Sequence, residues 1–362
     1  MAVICSIPQC TETAAEAIVN ATLDFLYPSP LQFAASIPAW AGLGDGVEAF
    51  KRQDYARALR EFSLLAEQGD ADAQFFLGSL YQHGDGVVKN IAKATPWLQK
   101  AAKQGHDGAL NALGVVYASE DPKIRDYHEA AHYFLTVAKK GIPEAMYNLG
   151  LMLSHGLGLE QSDAKAAQWF QKAAEHGVAA AQHKVGKLFE LGKTVIADAG
   201  KAREWYQKAA DQGYAQAQYD LGLLYHAIAD EEADEKAFYW LNLAAKQGVG
   251  PAQNKVADCY DQGRGVPGNH IYAFQWYSQA AERGDAGAQL ALGRKYAEGD
   301  GVPQDYVLAY VWCNLAGAQG QQEAVQQRET LLTRMSPSQV ERGQEMSRDY
   351  FEQYVIKTHK QH

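Results

Sequence analysis

The chain has 362 residues and a formal net charge of −10, and 47% of its residues are hydrophobic. That length allows one to three ordinary domains or one long repeat array, and the apolar fraction excludes an intrinsically disordered chain. The acidic balance argues against nucleic acid and anionic membranes as partners, since both are bound through a cationic footprint.

No stretch approaches the ~20 consecutive apolar residues of a membrane span, so no membrane insertion is expected. The first segment, 1–41, ends in LQFAASIPAWA, where Ala39-Trp40-Ala41 has the small-x-small pattern of a signal-peptide cleavage site. Against this, no basic residue precedes Lys51, and Pro28, Ser29 and Pro30 interrupt the apolar run. Cleavage near Ala41 would make the protein periplasmic or secreted; otherwise it is cytoplasmic. The four cysteines, Cys5, Cys10, Cys259 and Cys313, show neither zinc spacing nor the density of a disulfide framework. Cys259 and Cys313 fall where small core residues are expected.

From residue 42 onward one period dominates. Gly69, Gly105, Gly141, Gly177, Gly213, Gly248, Gly284 and Gly320 recur at a spacing of 36, once 35. Four residues after each stands Ala (Ala73 to Ala324), and eleven before each another Ala (Ala58 to Ala309). Eight before, an aromatic stands in seven of eight cases, among them Trp97, Tyr133, Trp169, Trp205 and Trp276.

Each unit resolves into two helices. The first follows the glycine and carries Ala, Leu, Gly and Tyr at offsets +4, +8, +9 and +12, as in Ala73, Leu77, Gly78 and Tyr81, a single apolar stripe at 3.6 residues per turn. Glycine at +9 costs helix stability, so its expected use is close approach of a neighbouring helix. The second helix has its stripe at Ala58, Phe62, Leu65 and Ala66, and a column of caps at Asp54, Asn90, Asp126, Ser162, Asp198, Asn269 and Asp305. The periodic glycine then ends it as a left-handed cap. Gly-x-Gly turns (84–86, 156–158, 263–265, 299–301) link successive units. Helices flank them on both sides, which rules against a phosphate cradle. The turns at 119–126 (SEDPKIRD), 192–200 and 227–234 are irregular and are expected to bend or loosen the array.

No hairpin of this size hides its own apolar face; stacking does, and the expected fold is all-α, an α-solenoid of helix–turn–helix repeats. It runs over 42–335 with about seven full repeats. SPSQ at 336–339 reads as a capping box opening a C-terminal capping helix, 336–356, followed by a tail, 357–362.

AQFFLGSLYQHGDGVVKN, AMYNLGLMLSHGLGLEQSDAKAAQWFQKAAEHG and AQLALGRKYAEGDGVPQDYVLAY resemble Sel1-like repeats, relatives of tetratricopeptide repeats. The resemblance covers about 43–335 and implies a right-handed superhelical solenoid used for protein–protein interaction. It implies a scaffold or adaptor, not an enzyme, with roles that in this family include signalling, protein quality control and bacterial contact with hosts. A cysteine-rich branch of the family is linked to β-lactam binding and hydrolysis, but the paired cysteines of that branch are lacking here.

His128-Glu129-Ala130-Ala131-His132 matches the zinc-protease pattern His-Glu-x-x-His. In the repeat register Ala130 is the buried framework alanine, and the two histidines fall on the opposite face at unspecialised positions. A third ligand is missing, since Leu135, Leu151 and Met152 stand where zincins place theirs. No catalytic residue, metal or cofactor is therefore expected.

By resemblance to tetratricopeptide repeats the first helices line the concave side. The exposed stripe then falls at offsets +6 and +10, with the expected partner-binding residues Phe75, Asn111, Tyr147, His183, Lys187, Tyr219, Asn254, Asp258 and Arg294. In this reading a protein or peptide partner is held by aromatic anchors and Asn amides, and Tyr147→Ala with Tyr219→Ala weakens binding while leaving the melt nearly unchanged. Val115, Leu151 and Leu223 in the same rows read equally as junction core. Self-association through the array is a further expectation.

Overall fold

The computed structural model describes residues 43–119, 121–228 and 230–356. The 1–41 segment with its Ala39-Trp40-Ala41 pattern, Cys5 and Cys10, and the 357–362 tail lie outside them. The chain divides into two compact units, one ending at Asp198 and one beginning at Ala199. Every regular element among the described residues is helical.

The N-terminal unit holds α1 (Gly44–Lys51), α2 (Tyr55–Glu67), α3 (Ala71–His83), α4 (Ile91–Lys103), α5 (Asp107–Tyr117), α6 (Tyr127–Lys139), α7 (Pro143–His155), α8 (Asp163–Glu175) and α9 (Ala179–Leu191). The C-terminal unit holds α10 (Ala199–Asp211), α11 (Ala215–His226), α12 (Glu231–Lys246), α13 (Gly250–Gln262), α14 (His270–Glu282), α15 (Ala286–Glu298), α16 (Tyr306–Ala318), α17 (Gln322–Leu332) and α18 (Pro337–Phe351), closed by a π turn, Glu352–Ile356. Within each unit successive helices pack side by side, so each hairpin buries its stripe against its neighbours.

The periodic glycine ends the second helix by a Schellman motif. Gly69 has φ +99°, its N–H donates to Ala66 O at 3.1 Å, and the Asp70 N–H donates to Leu65 O at 3.1 Å. The same bond pair recurs at Gly105, Gly141, Gly177, Gly213, Gly248, Gly284 and Gly320. The second-helix caps are made as the column requires: Asn90 Oδ1 accepts from the Lys93 N–H at 2.9 Å and Asn269 Oδ1 from the Tyr272 N–H at 3.0 Å. Each such cap stabilises its helix by about 1 kcal/mol.

The +9 glycine is a site of close approach. A Cβ on Gly150 would stand 2.6 Å from the Phe170 ring, and one on Gly222 would stand 2.7 Å from Leu241. Phe134, Phe170, Leu241 and their equivalents thereby reach the backbone of the first helix and are fully or nearly buried.

Two turns that depart from Gly-x-Gly still close as the others do. The cap residue's N–H donates to the carbonyl of the +12 residue: Asn90 to Tyr81 O at 2.7 Å, Asp126 to Tyr117 O at 2.8 Å and Asp198 to Phe189 O at 2.9 Å. At 192–194 Thr194 occupies the place of the second glycine and takes φ +62°, a left-handed conformation that a β-branched residue rarely adopts. The third irregular joint differs. α12 starts at Glu231 with Asp230 as its cap and runs 16 residues, against 13 for its counterparts α10 and α14.

The SPSQ capping box is present. Ser336 Oγ accepts from the Gln339 N–H, the Gln339 side chain accepts from the Ser336 N–H at 2.8 Å, and Pro337 opens α18. α18 packs on α16, and Tyr350 and Tyr354 lie 5.5 and 5.8 Å from the Trp312 ring.

Candidate functional site

HEAAH forms the first turns of α6, capped by Asp126, whose Oδ1 accepts from the His128 and Glu129 N–H groups at 3.0 and 3.1 Å. Ala130 and Ala131 are buried, while His128, Glu129 and His132 are exposed. No third His, Cys or carboxylate among the described residues joins the two histidines in a metal-sized cluster.

A different trio does converge. Asp261 on α13, His270 on α14 and Asp300 in the turn after α15 bring ligand atoms within 4.8 Å of one another. His270 Nδ1 stands 2.9 Å from Asp261 Oδ1 and 3.3 Å from Asp300 Oδ2. The buried Lys295 ammonium pairs with both carboxylates and so fills the place a metal cation would take. These residues form an ion-pair cluster that ties three helices together.

The first-helix stripe behaves differently in the two units. In the N-terminal unit Phe75, Asn111, Tyr147 and His183 are only 3–6% exposed. Phe75 stacks on the His106 ring, centroids 4.6 Å apart, and Tyr147 lies 5.6 Å from Phe170. Val115 and Leu151 at +10 are buried beside them. These six side chains act as junction core and offer a ligand little surface. Lys187 is half-buried and pairs with Glu190 at 3.0 Å.

In the C-terminal unit Tyr219, Leu223, Asn254, Asp258 and Arg294 remain half-exposed, and Leu290 alone of the two rows is buried. Polar contacts hold them. Asn254 Nδ2 donates to Asp285 Oδ1 at 2.9 Å, Tyr277 Oη donates to Asp258 Oδ1 at 2.8 Å, Lys255 pairs with Asp258 at 2.9 Å, and Arg294 pairs with Glu323. Burial lifts the Asp285 carboxyl above its ordinary range against the opposing Ala288 and Gly287 N–H groups, and the charge of Asp258 adds to the rise. Burial also raises the Tyr219 hydroxyl, with Asp220 and Asp285 adding to it. The face carries polar groups ordered by ion pairs and hydrogen bonds. The described thiols are buried and unpaired: desolvation pushes Cys259 up to about 11 and Cys313 up to about 12.

One device was missed in the sequence. Glutamines at +5 turn inward: Gln74, Gln182, Gln218, Gln253 and Gln289 each donate to the carbonyl of the −3 residue, at 3.1–3.2 Å. A glutamine just before the next periodic glycine completes the link. Gln104 donates to Gln74 Oε1 at 2.9 Å and to Gly69 O at 3.0 Å, and Gln247 does the same to Gln218 and Gly213. Gln319 reaches Gln289 Oε1 at 2.8 Å. Arg283 breaks the series: its Nη1 takes Gly248 O at 2.9 Å and leaves Gln253 Oε1 buried without a partner. The signal was available as a Gln column at +5 paired with one at −1, thirty residues later.

Comparison with known proteins follows the same register. A model of the Sel1 repeat family matches residues 71–106, 108–142, 143–178, 179–214, 215–249, 250–285 and 286–321. Among solved structures the chain is similar to a Sel1 repeat protein from Oxalobacter formigenes, with 27% identity and a TM-score of 0.62 over 91% of this chain and 100% of that one. It is also similar to a protective antigen of uropathogenic Escherichia coli that displays an SLR fold, with 27% identity and a TM-score of 0.53 over 96% of this chain and 81% of that one. No curated protein sequence matches it. Sel1-type arrays commonly mediate protein–protein interaction and are usually not catalytic. With seven consecutive matches in the same frame as the glycine period, the chain belongs to the Sel1-like repeat family.

Proposed function

We propose that the chain is a non-catalytic scaffold that binds a protein or peptide partner through the first-helix stripe, on the face that the family resemblance makes concave. The accessible part of that stripe in the C-terminal unit comprises Tyr219, Asn254, Asp258 and Arg294. One observation carries the proposal: in rows that lie between the repeated framework columns, these residues vary from repeat to repeat, stay half-exposed and mix an aromatic with an amide and both signs of charge. That is the make-up of a recognition surface with a few anchors and a polar rim. The E. coli relative is a protective antigen, which supports a setting in the bacterial envelope or at the contact with a host.

A photo-crosslinking amino acid at Asn254, and another at the exposed Arg203 on the second-helix face, tests the reading in the native host. The expected result is an adduct with a different protein from position 254 and none from 203. An adduct of the chain with itself would replace partner binding by self-assembly. Equal labelling from both positions, or none from 254, would remove the stripe from the account.

A further inference from the structure

Among the described helices that have a side-chain cap at the start, ten use Asp, Asn or Ser, and α5 alone uses a histidine. His106 Nδ1 accepts from the Ala109 N–H at 3.0 Å. A backbone N–H can only donate, so Nδ1 carries no proton and the proton of the neutral ring sits on Nε2. Nε2 points at Asp72 Oδ1, 3.0 Å away on α3. The ring also stacks on Phe75, and Gly108 leaves space for that ring, since a Cβ there would lie 3.1 Å from Phe75. One imidazole thus caps α5, bonds α3 and covers Phe75.

We propose that His106 is an acid-sensitive latch at the α3–α5 joint: protonation of Nδ1 removes the cap of α5 and loosens the contact that buries Phe75. A proton on Nδ1 sets N–H against N–H and places a cation at a helix N-terminus, where the dipole disfavours it. The charged groups facing the ring are Asp72 on α3 and Asp107 on α5, and Asp107 is itself paired with Lys140 at 2.5 Å. The two carboxylates favour the imidazolium, but burial opposes them more strongly and holds the group below the ordinary histidine range. The sign follows. The opened joint binds the proton first, so the closed joint has its full stability above about pH 6.5 and loses it as the pH falls below that value. The asparagine and serine caps have no titrating acceptor, so this response is not shared by them.

Two measurements on the full chain test the latch. Nitrogen chemical shifts of His106 at pH 7.5 are expected to show the Nε2–H tautomer; an Nδ1–H tautomer would overturn the proposal. Hydrogen exchange, corrected for the intrinsic rate, is expected to show protection of the Ala109 and Leu110 amides falling several-fold between pH 7.5 and pH 5.0. In His106→Asn, which keeps an acceptor without a titration, that pH dependence is expected to vanish. Protection independent of pH in the wild-type chain, or an undiminished pH dependence in the variant, would overturn it.

Discussion

The first helices of residues 43–198 and those of residues 199–356 share one register, yet the same offsets do different work. In the N-terminal unit the +6 and +10 rows hold Phe75, Tyr147, Val115 and Leu151, which fold onto neighbouring helices and disappear from the surface. In the C-terminal unit the rows hold Tyr219, Asn254, Asp258 and Arg294, which stay within reach of solvent, the last three bonded to polar partners outside the rows: Asp285, Lys255 with Tyr277, and Glu323. A periodic framework therefore fixes where a side chain sits but not whether it is core or surface. Residue chemistry decides that: burying an unpaired charge costs far more than an aromatic ring gains, so charged rows remain outside.

The sharpest way to break this contrast is by truncation. Phe75→Ala is expected to cost about 3–5 kcal/mol of stability, as for a large buried side chain. Asn254→Ala is expected to cost below about 1 kcal/mol. Urea unfolding followed by circular dichroism measures both, and equal costs would erase the distinction. A smaller effect is expected inside the N-terminal unit. Thr194→Gly relieves the left-handed strain at φ +62° and should raise stability by about 1 kcal/mol. The smallest is in the C-terminal unit. Arg283→Gln restores the glutamine link to Gln253 Oε1 and should gain about 0.5–1 kcal/mol. A loss would mean that the Arg283 bond to Gly248 O outweighs the link it displaces.

Much of the fold was legible because its determinants are local and repeated. The periodic glycine, the cap column and the +9 glycine each act within one or two turns, and each is found doing the physical task its residue type suggests. Two of the three irregular turns close with the same backbone bond as the regular ones. At 117–126 and 192–198 a backbone bond to the +12 carbonyl holds the turn whatever its glycine content, and such a bond leaves no trace in residue type. The burial of Phe75 and Tyr147 was also hidden, because it depends on rings supplied by His106 and Phe170 across a joint. Treating Tyr147 as a free anchor was the natural consequence of reading its row as one surface. Lys295 escaped notice for a related reason: Asp300 is a local partner, but Asp261 lies 34 residues away on another helix and only the stack brings it near.

The most direct test compares Tyr147→Ala and Tyr219→Ala, reading both the thermal melt and the yield of the partner adduct at position 254. The structure leads us to expect a markedly lower melting temperature for Tyr147→Ala. For Tyr219→Ala it leads us to expect a nearly unchanged melt with a much reduced adduct. An undiminished adduct in a folded Tyr219→Ala protein would contradict the claim that this half-exposed stripe is where the partner is held.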